Sequence, residues 1–122
     1  MATIKVKGQI NEATCEQERL AINDTLELLG GKWRLRIMRY LGSREQEHNT
    51  FKKMQREIGN ISAKVLANEL ADLEQNMLIT RTVMDSRPVT VRYAISTYGK
   101  TVLPLTENIA QWGLDHRKMI RS

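Results

Sequence analysis

A single cysteine, Cys15, stands among 122 residues, which excludes an internal disulfide and a four-cysteine zinc site. The two histidines, His48 and His116, lie far apart, and no H-x-x-x-H, C-x-x-C or paired-carboxylate arrangement offers a metal or hydrolase site. There is no G-x-G-x-x-G and no other phosphate-cradling glycine loop. An enzyme is therefore not expected, and neither is a cofactor. No run of about 18 apolar residues occurs, so no membrane-spanning helix and no membrane partner are expected. The opening "MATIKVKGQINEAT" has no apolar stretch behind its charges and does not read as a secretory signal. A cytoplasmic location is the default.

What is present is a modest core and misplaced charge. Hydrophobic residues make up 41%, enough for one core but without room for a large buried cleft, and the length suits one domain, 1–122. Net charge is +5, and residues 30–61 alone hold eight Lys/Arg against three Asp/Glu, so the remainder balances to zero. Concentrated basicity points to a polyanion, nucleic acid or an acidic membrane surface. Charge by itself is equally compatible with a merely soluble domain.

Neither repeats nor low-complexity segments interrupt the chain. Residues 1–15 read as a loose arm. A first helix is expected over 16–29, with Ile22, Leu26 and Leu29 spaced four and three apart, ended by Gly30-Gly31. A second, about 32–41, buries Trp33, Ile37 and Leu41 and lines Lys32, Arg36 and Arg39 along one stripe. After the polar loop "GSREQEHN", Thr50 caps a short helix with Phe51 and Met54 inward. "IGNI" is a tight turn, and Ser62 caps a longer helix, about 62–76.

The period then changes from 3.6 to 2. "LITRTVM" and "VTVRYAI" alternate as strands, with Val89, Val91, Tyr93 and Ile95 on one face and Thr90, Arg92 and Ala94 on the other. "DSRP" forms the exposed tip between them. A last helix from about 98 to 120 presents Val102, Leu105, Ile109 and Trp112, with Pro104 demanding a kink or a late start.

The helix over 62–76 has an unusual surface. Leu66, Leu70, Leu73 and Met77 form its core stripe, yet the opposite side carries Lys64, Ala67, Asn68, Ala71 and Gln75. Glu69, Asp72 and Glu74 are displaced toward the flanks. A short helix, a turn containing glycine, a longer helix and a hairpin together read as a winged helix-turn-helix. The fold class is mainly α with a small β-hairpin wing (α+β), flanked by dimerisation helices over 16–29 and 98–120.

A helix entering the major groove must bring small residues close to base edges. Amides pair with adenine, and carboxylates are kept from phosphate. Ser62 adds a hydroxyl and backbone N–H groups for phosphate at the helix start. A small, amide-rich face is also how helices pack on other helices.

Three segments, "TLELLGGKWRLRIMRYL", "ISAKVLANELADLEQNMLITRT" and "VRYAISTYGKTVLPLTENIAQWG", resemble the HxlR-type, MarR-like winged-helix transcription regulators over roughly residues 20–115. The resemblance implies a homodimeric bacterial regulator that binds a palindromic operator on double-stranded DNA through the recognition helix (about 62–76) and the wing (79–95). The DNA contacts it suggests are Lys32, Arg36, Ser62, Lys64, Ala67, Asn68, Arg81, Arg87 and Arg92. Lys32 reads equally as a phosphate contact or a solvated lysine. Arg87, on the tip, suits the minor groove.

Thr90 departs from the family, which often has a basic residue there, so Arg87 or Arg92 must supply the wing's charge. Ile22, Leu26, Val102, Leu105, Ile109 and Trp112 are the expected dimer interface, since together they offer more apolar surface than one winged helix buries. Trp33 and Trp112 read as packing residues rather than ligand platforms.

Several relatives sense oxidants through a thiol just ahead of the first helix. The family's usual cysteine position aligns with Leu20, five residues after Cys15. A thiol near a helix N-terminus is favoured as thiolate, whereas Glu12, Glu16 and Glu18 oppose it. Cys15 stands either as a redox sensor or as incidental, and a small-molecule or oxidant effector remains open. The competing function is a winged-helix protein–protein interaction module without DNA binding.

Overall fold

Side-chain oxygens that accept the first free N–H groups start helices at three places in this chain. In the computed structural model, which describes residues 2–121, Thr14, Thr50 and Ser62 each accept from the backbone N–H three residues on. Thr14 completes a capping box: its Oγ1 accepts from Gln17 N at 3.1 Å, and Gln17 Oε1 accepts from Thr14 N at 2.8 Å. The chain divides after Gly31 into two compact units.

In the first unit, residues 3–12 are not loose. β1 (Thr3–Val6) and β2 (Gln9–Glu12) pair antiparallel, with Val6 opposite Gln9. The two residues between them, Lys7 and Gly8, have φ of 49° and 81°, the doubly positive geometry whose twist matches a hairpin. Ala2 N donates to Glu18 Oε2 at 2.9 Å, tying the hairpin to α1 (Cys15–Leu29). Glu16 and Glu18 complement the positive end of that helix. Gly30 closes it because a Cβ there would sit 2.2 Å from the Leu26 carbonyl oxygen.

The second unit holds α2 (Arg34–Gly42), β3 (Asn49–Thr50), α3 (Phe51–Ile58), α4 (Ala63–Gln75), β4 (Ile79–Met84), β5 (Thr90–Ile95), a 3-10 turn (Gly99–Val102) and α5 (Leu103–Arg121). Its core is built from Ile37, Met38, Leu41, Met54, Leu66, Leu70, Leu73, Leu78 and Ile79. The wing is three-stranded, β3-β5-β4, because Asn49 and Thr50 pair with Tyr93 and Arg92 before Thr50 caps α3.

Two expectations need correction here, and a third, the late start at Pro104, is met. Met77 does not extend the α4 stripe: the helix ends at Gln75, Met77 turns left-handed at φ 63°, and it is 72% exposed while Leu78 enters the core. Val102 is only 8% exposed, because the 3-10 turn winds tighter than an α-helix and rotates it inward. α5 starts late, at Leu103, so Pro104 falls in its first turn, where a missing N–H costs nothing.

A polar link joins α2 to α3. Tyr40 Oη donates to Glu57 Oε1 at 2.6 Å, and the Arg44 guanidinium lies 4.1 Å from the Tyr40 ring centre. The Tyr40 hydroxyl, together with Lys53 and Arg44, holds the Glu57 carboxyl below its usual range. Burial, then the hydrogen bond to Glu57, raises the tyrosine. A carboxyl depressed in the folded state contributes stability above its ordinary value of about 4.3, and that stability is lost as pH falls through the lower folded value. Tyr40→Phe should therefore lower Tm at neutral pH, with the deficit shrinking below about pH 4. A deficit independent of pH in melts across that range would contradict this assignment.

Candidate nucleic-acid interface

α3, its turn and α4 form the helix-turn-helix. Gly59 and Asn60 take φ of 77° and 57°, which suits glycine and asparagine best. The Gln55 side chain donates to the Ile61 carbonyl at 3.2 Å and spans the turn. α4 then packs Leu66, Leu70 and Leu73 into the core and turns Lys64, Ala67, Asn68, Ala71 and Gln75 to solvent. At 100° per residue these five share one arc of about 100° on the side turned away from the leucines. Ser62 Oγ accepts from Val65 N at 3.1 Å, which leaves its hydroxyl proton free to donate outward.

A basic patch lies at the start of α2. Lys32 and Arg36 both sit over the Trp33 ring, at 4.8 and 4.6 Å from its centre. Trp33 is thus half-buried beneath two cations rather than fully in the core. Arg36 also donates to the Ile58 carbonyl at 3.4 Å, beside the turn of the helix-turn-helix. Arg39 leaves this stripe, donating to Thr106 Oγ1 on α5 at 3.3 Å.

The wing divides its arginines. Register pairs Arg81 with Tyr93 and Thr82 with Arg92, so Arg81 and Arg92 leave opposite faces of the ribbon. Arg92 is half-buried in a shallow depression with Glu45, Glu47 and Met84, whereas Arg81 is exposed. Arg87 is exposed on the tip, where Ser86 Oγ donates to the Pro88 carbonyl at 3.0 Å.

One residue of this region escaped the sequence reading. Arg34, the first residue of α2, donates from Nε to Glu69 Oε2 at 2.8 Å and from Nη2 to Asp72 Oδ2 at 2.5 Å. Both acids lie on one flank of α4. The separations of 35 and 38 residues leave no local signal for these contacts.

The remaining expected sites lie on α1 and α5. On α1, Ile22 and Leu26 are 59% and 63% exposed. On α5, Leu105, Ile109 and Trp112 are exposed, and the Trp112 ring stacks on His116 at 5.0 Å. Cys15 is exposed at the first position of α1. Among the described residues no cluster of His, Cys, Asp and Glu could hold a metal ion, and no helix is long and apolar enough to cross a membrane.

The family model described as HxlR-like helix-turn-helix matches residues 28–120. An HTH-type transcriptional regulator of Halalkalibacterium halodurans is 34% identical over 93 residues, covering 76% of this chain and 80% of that one. The HTH-type transcriptional regulator YdzF of Bacillus subtilis is 30% identical over 100 residues, 82% of this chain and 90% of its own. The solved structure of YtcD superposes with a TM-score of 0.72 at 30% identity, covering 80% of this chain and 96% of that one.

Proposed function

This chain belongs to the HxlR-like helix-turn-helix family of transcriptional regulators, and from that membership we propose that it acts as a homodimer on a palindromic DNA operator. The observation that carries the reading is the open side of α4: Lys64, Ala67, Asn68, Ala71 and Gln75 are all exposed and acid-free, opposite a fully buried leucine stripe. Small residues let the helix approach base edges, Asn68 and Gln75 suit adenine, and Lys64 suits guanine or phosphate. Ser62 and the N-terminus of α4 take a backbone phosphate.

Lys32 and Arg36, held on Trp33, contact phosphate from the side of α2, and Arg87 enters the minor groove from the tip. Arg81 is the strand arginine free to join them, while Arg92 faces the acidic depression. A twofold dimer would set its two α4 helices about 34–36 Å apart, one DNA turn, or more where the wings spread.

Selection of bound sequences from a random duplex pool, followed by titration with salt, tests this directly. A recovered palindrome with affinity falling steeply in salt is the expected result. No duplex bound even at low salt would favour a docking module instead. On the recovered site, Asn68→Ala should cost about 1–3 kcal/mol and on random DNA very little, because the amide reads a base. Arg87→Ala should weaken both alike. Equal losses on both duplexes for Asn68→Ala would remove the base-reading role.

A further inference from the structure

α4 poses an electrostatic problem for a helix that meets DNA. Residues 63–75 carry one lysine, Lys64, against three acids, Glu69, Asp72 and Glu74, a net charge of −2. A duplex carries one negative charge per about 1.7 Å of its axis, and charges within a Debye length of about 8 Å at physiological salt are poorly screened from it. Helical spacing puts Glu69 and Asp72 together on one flank of the groove-facing stripe and Glu74 on the other. Left alone, the first pair would also repel each other across a single turn.

The fold answers with one side chain. Arg34 is 15% exposed, and its Nε and Nη2 reach Glu69 and Asp72 separately. Glu69 and Asp72 are 23% and 52% exposed, so the second acid in particular still borders solvent, where a bound duplex would lie. Only the planar fork of an arginine spans two carboxylates three residues apart in this way; an ammonium is a single point charge. Arg34 also stands in the first turn of α2, where the helix dipole disfavours a cation and no acid of its own helix compensates. Its place is explained by α4 rather than by α2.

We infer that Arg34 is a positioning residue for DNA recognition: it neutralises the Glu69–Asp72 flank of α4, so that the Lys64–Asn68 side of the helix approaches phosphate without like-charge repulsion. This inference rests on the DNA-binding reading above. It assigns Arg34 no contact with DNA.

The test compares wild type, Arg34→Gln and the triple variant Arg34→Gln/Glu69→Gln/Asp72→Asn on the duplex recovered from the random pool, with salt varied and folding checked by thermal melts. Arg34→Gln should lose about tenfold in affinity at low salt, and the loss should shrink as salt is raised, because exposed carboxylates are screened. The triple variant should return to within about twofold of wild type, since it removes the repulsion without restoring the arginine.

A triple variant as weak as Arg34→Gln, or a loss indifferent to salt, would overturn the electrostatic role and leave a packing one. If Arg34→Gln does not fold, Glu69→Gln/Asp72→Asn decides: binding at least as tight as wild type supports the inference, and a tenfold loss overturns it. A wild-type chain that recovers no duplex at all would overturn the DNA reading first, and this inference with it.

Discussion

Ile109→Asp should leave the fold intact and lower operator affinity by about 10²–10⁴-fold, the loss expected when two linked binding sites become one. Ile109 is 47% exposed on α5, so a carboxylate there meets water rather than the core of its own unit. Leu105 and Trp112 lie on exposed turns of the same helix, and Ile22 and Leu26 form a second open apolar face on α1. Apolar faces of this kind mark interfaces, and a charge at the centre of one is costly because its partner has nothing to pair with it. Light scattering at micromolar concentration should give twice 14.1 kDa for wild type and 14.1 kDa for the variant. A wild-type monomer, or a variant that still dimerises, would refute the assignment of this face.

Gly99→Ala should destabilise the second unit by about 3 kcal/mol or more, the upper end for overpacking, with Tm falling by roughly 12 °C or more. The cause is not backbone angle, because Gly99 is not among the residues with positive φ. A Cβ at this position would stand 2.0 Å from the Leu78 carbonyl oxygen and 3.0 Å from Ile95 Cγ1. The first of these is backbone and has no rotamer to escape into.

Ser96 fixes the approach. Its Oγ accepts from Gly99 N at 2.8 Å and donates to the Met77 carbonyl at 2.6 Å, and its N donates to the Leu78 carbonyl at 3.1 Å. The serine and glycine of the "ISTYG" segment therefore staple the end of the wing to the exit of α4. A melt within 2 °C of wild type, on a scale where 1 kcal/mol shifts Tm by about 2–8 °C, would show that the staple yields easily.

Periodicity made the framework readable. Leu66, Leu70 and Leu73 declared α4 and its open face, and the alternation of 79–95 declared the wing. What escaped was set by geometry that no local spacing encodes. Met77 continued the stripe on paper, but the chain leaves α4 through a left-handed residue that is methionine where glycine would have signalled the stop.

The hairpin at residues 3–12 went unread because its turn is Lys-Gly rather than Asn-Gly, and most of its strand residues are exposed. Val102 was misplaced because an α-helical period was extended through a 3-10 turn. At the candidate site, the exposed, acid-free face of α4 was legible, whereas the opposite orientations of Arg81 and Arg92 needed the strand register. Arg34 needed the tertiary fold outright.

Lys32 and Arg36 share one indole, and this separates them from Arg87 in the thermodynamics of complex formation. A long basic side chain carries about 2 kcal/mol of rotamer entropy, part of which is forfeited when it settles on a phosphate. Over the Trp33 ring, two such chains have surrendered some of that freedom before any duplex arrives. Arg87, on an exposed tip, has no such platform beneath it. On the DNA-binding reading proposed above, the patch at the start of α2 would meet a duplex as a preset surface, and the wing tip would meet it as a tether that stiffens on contact. Warming would then penalise the second more than the first.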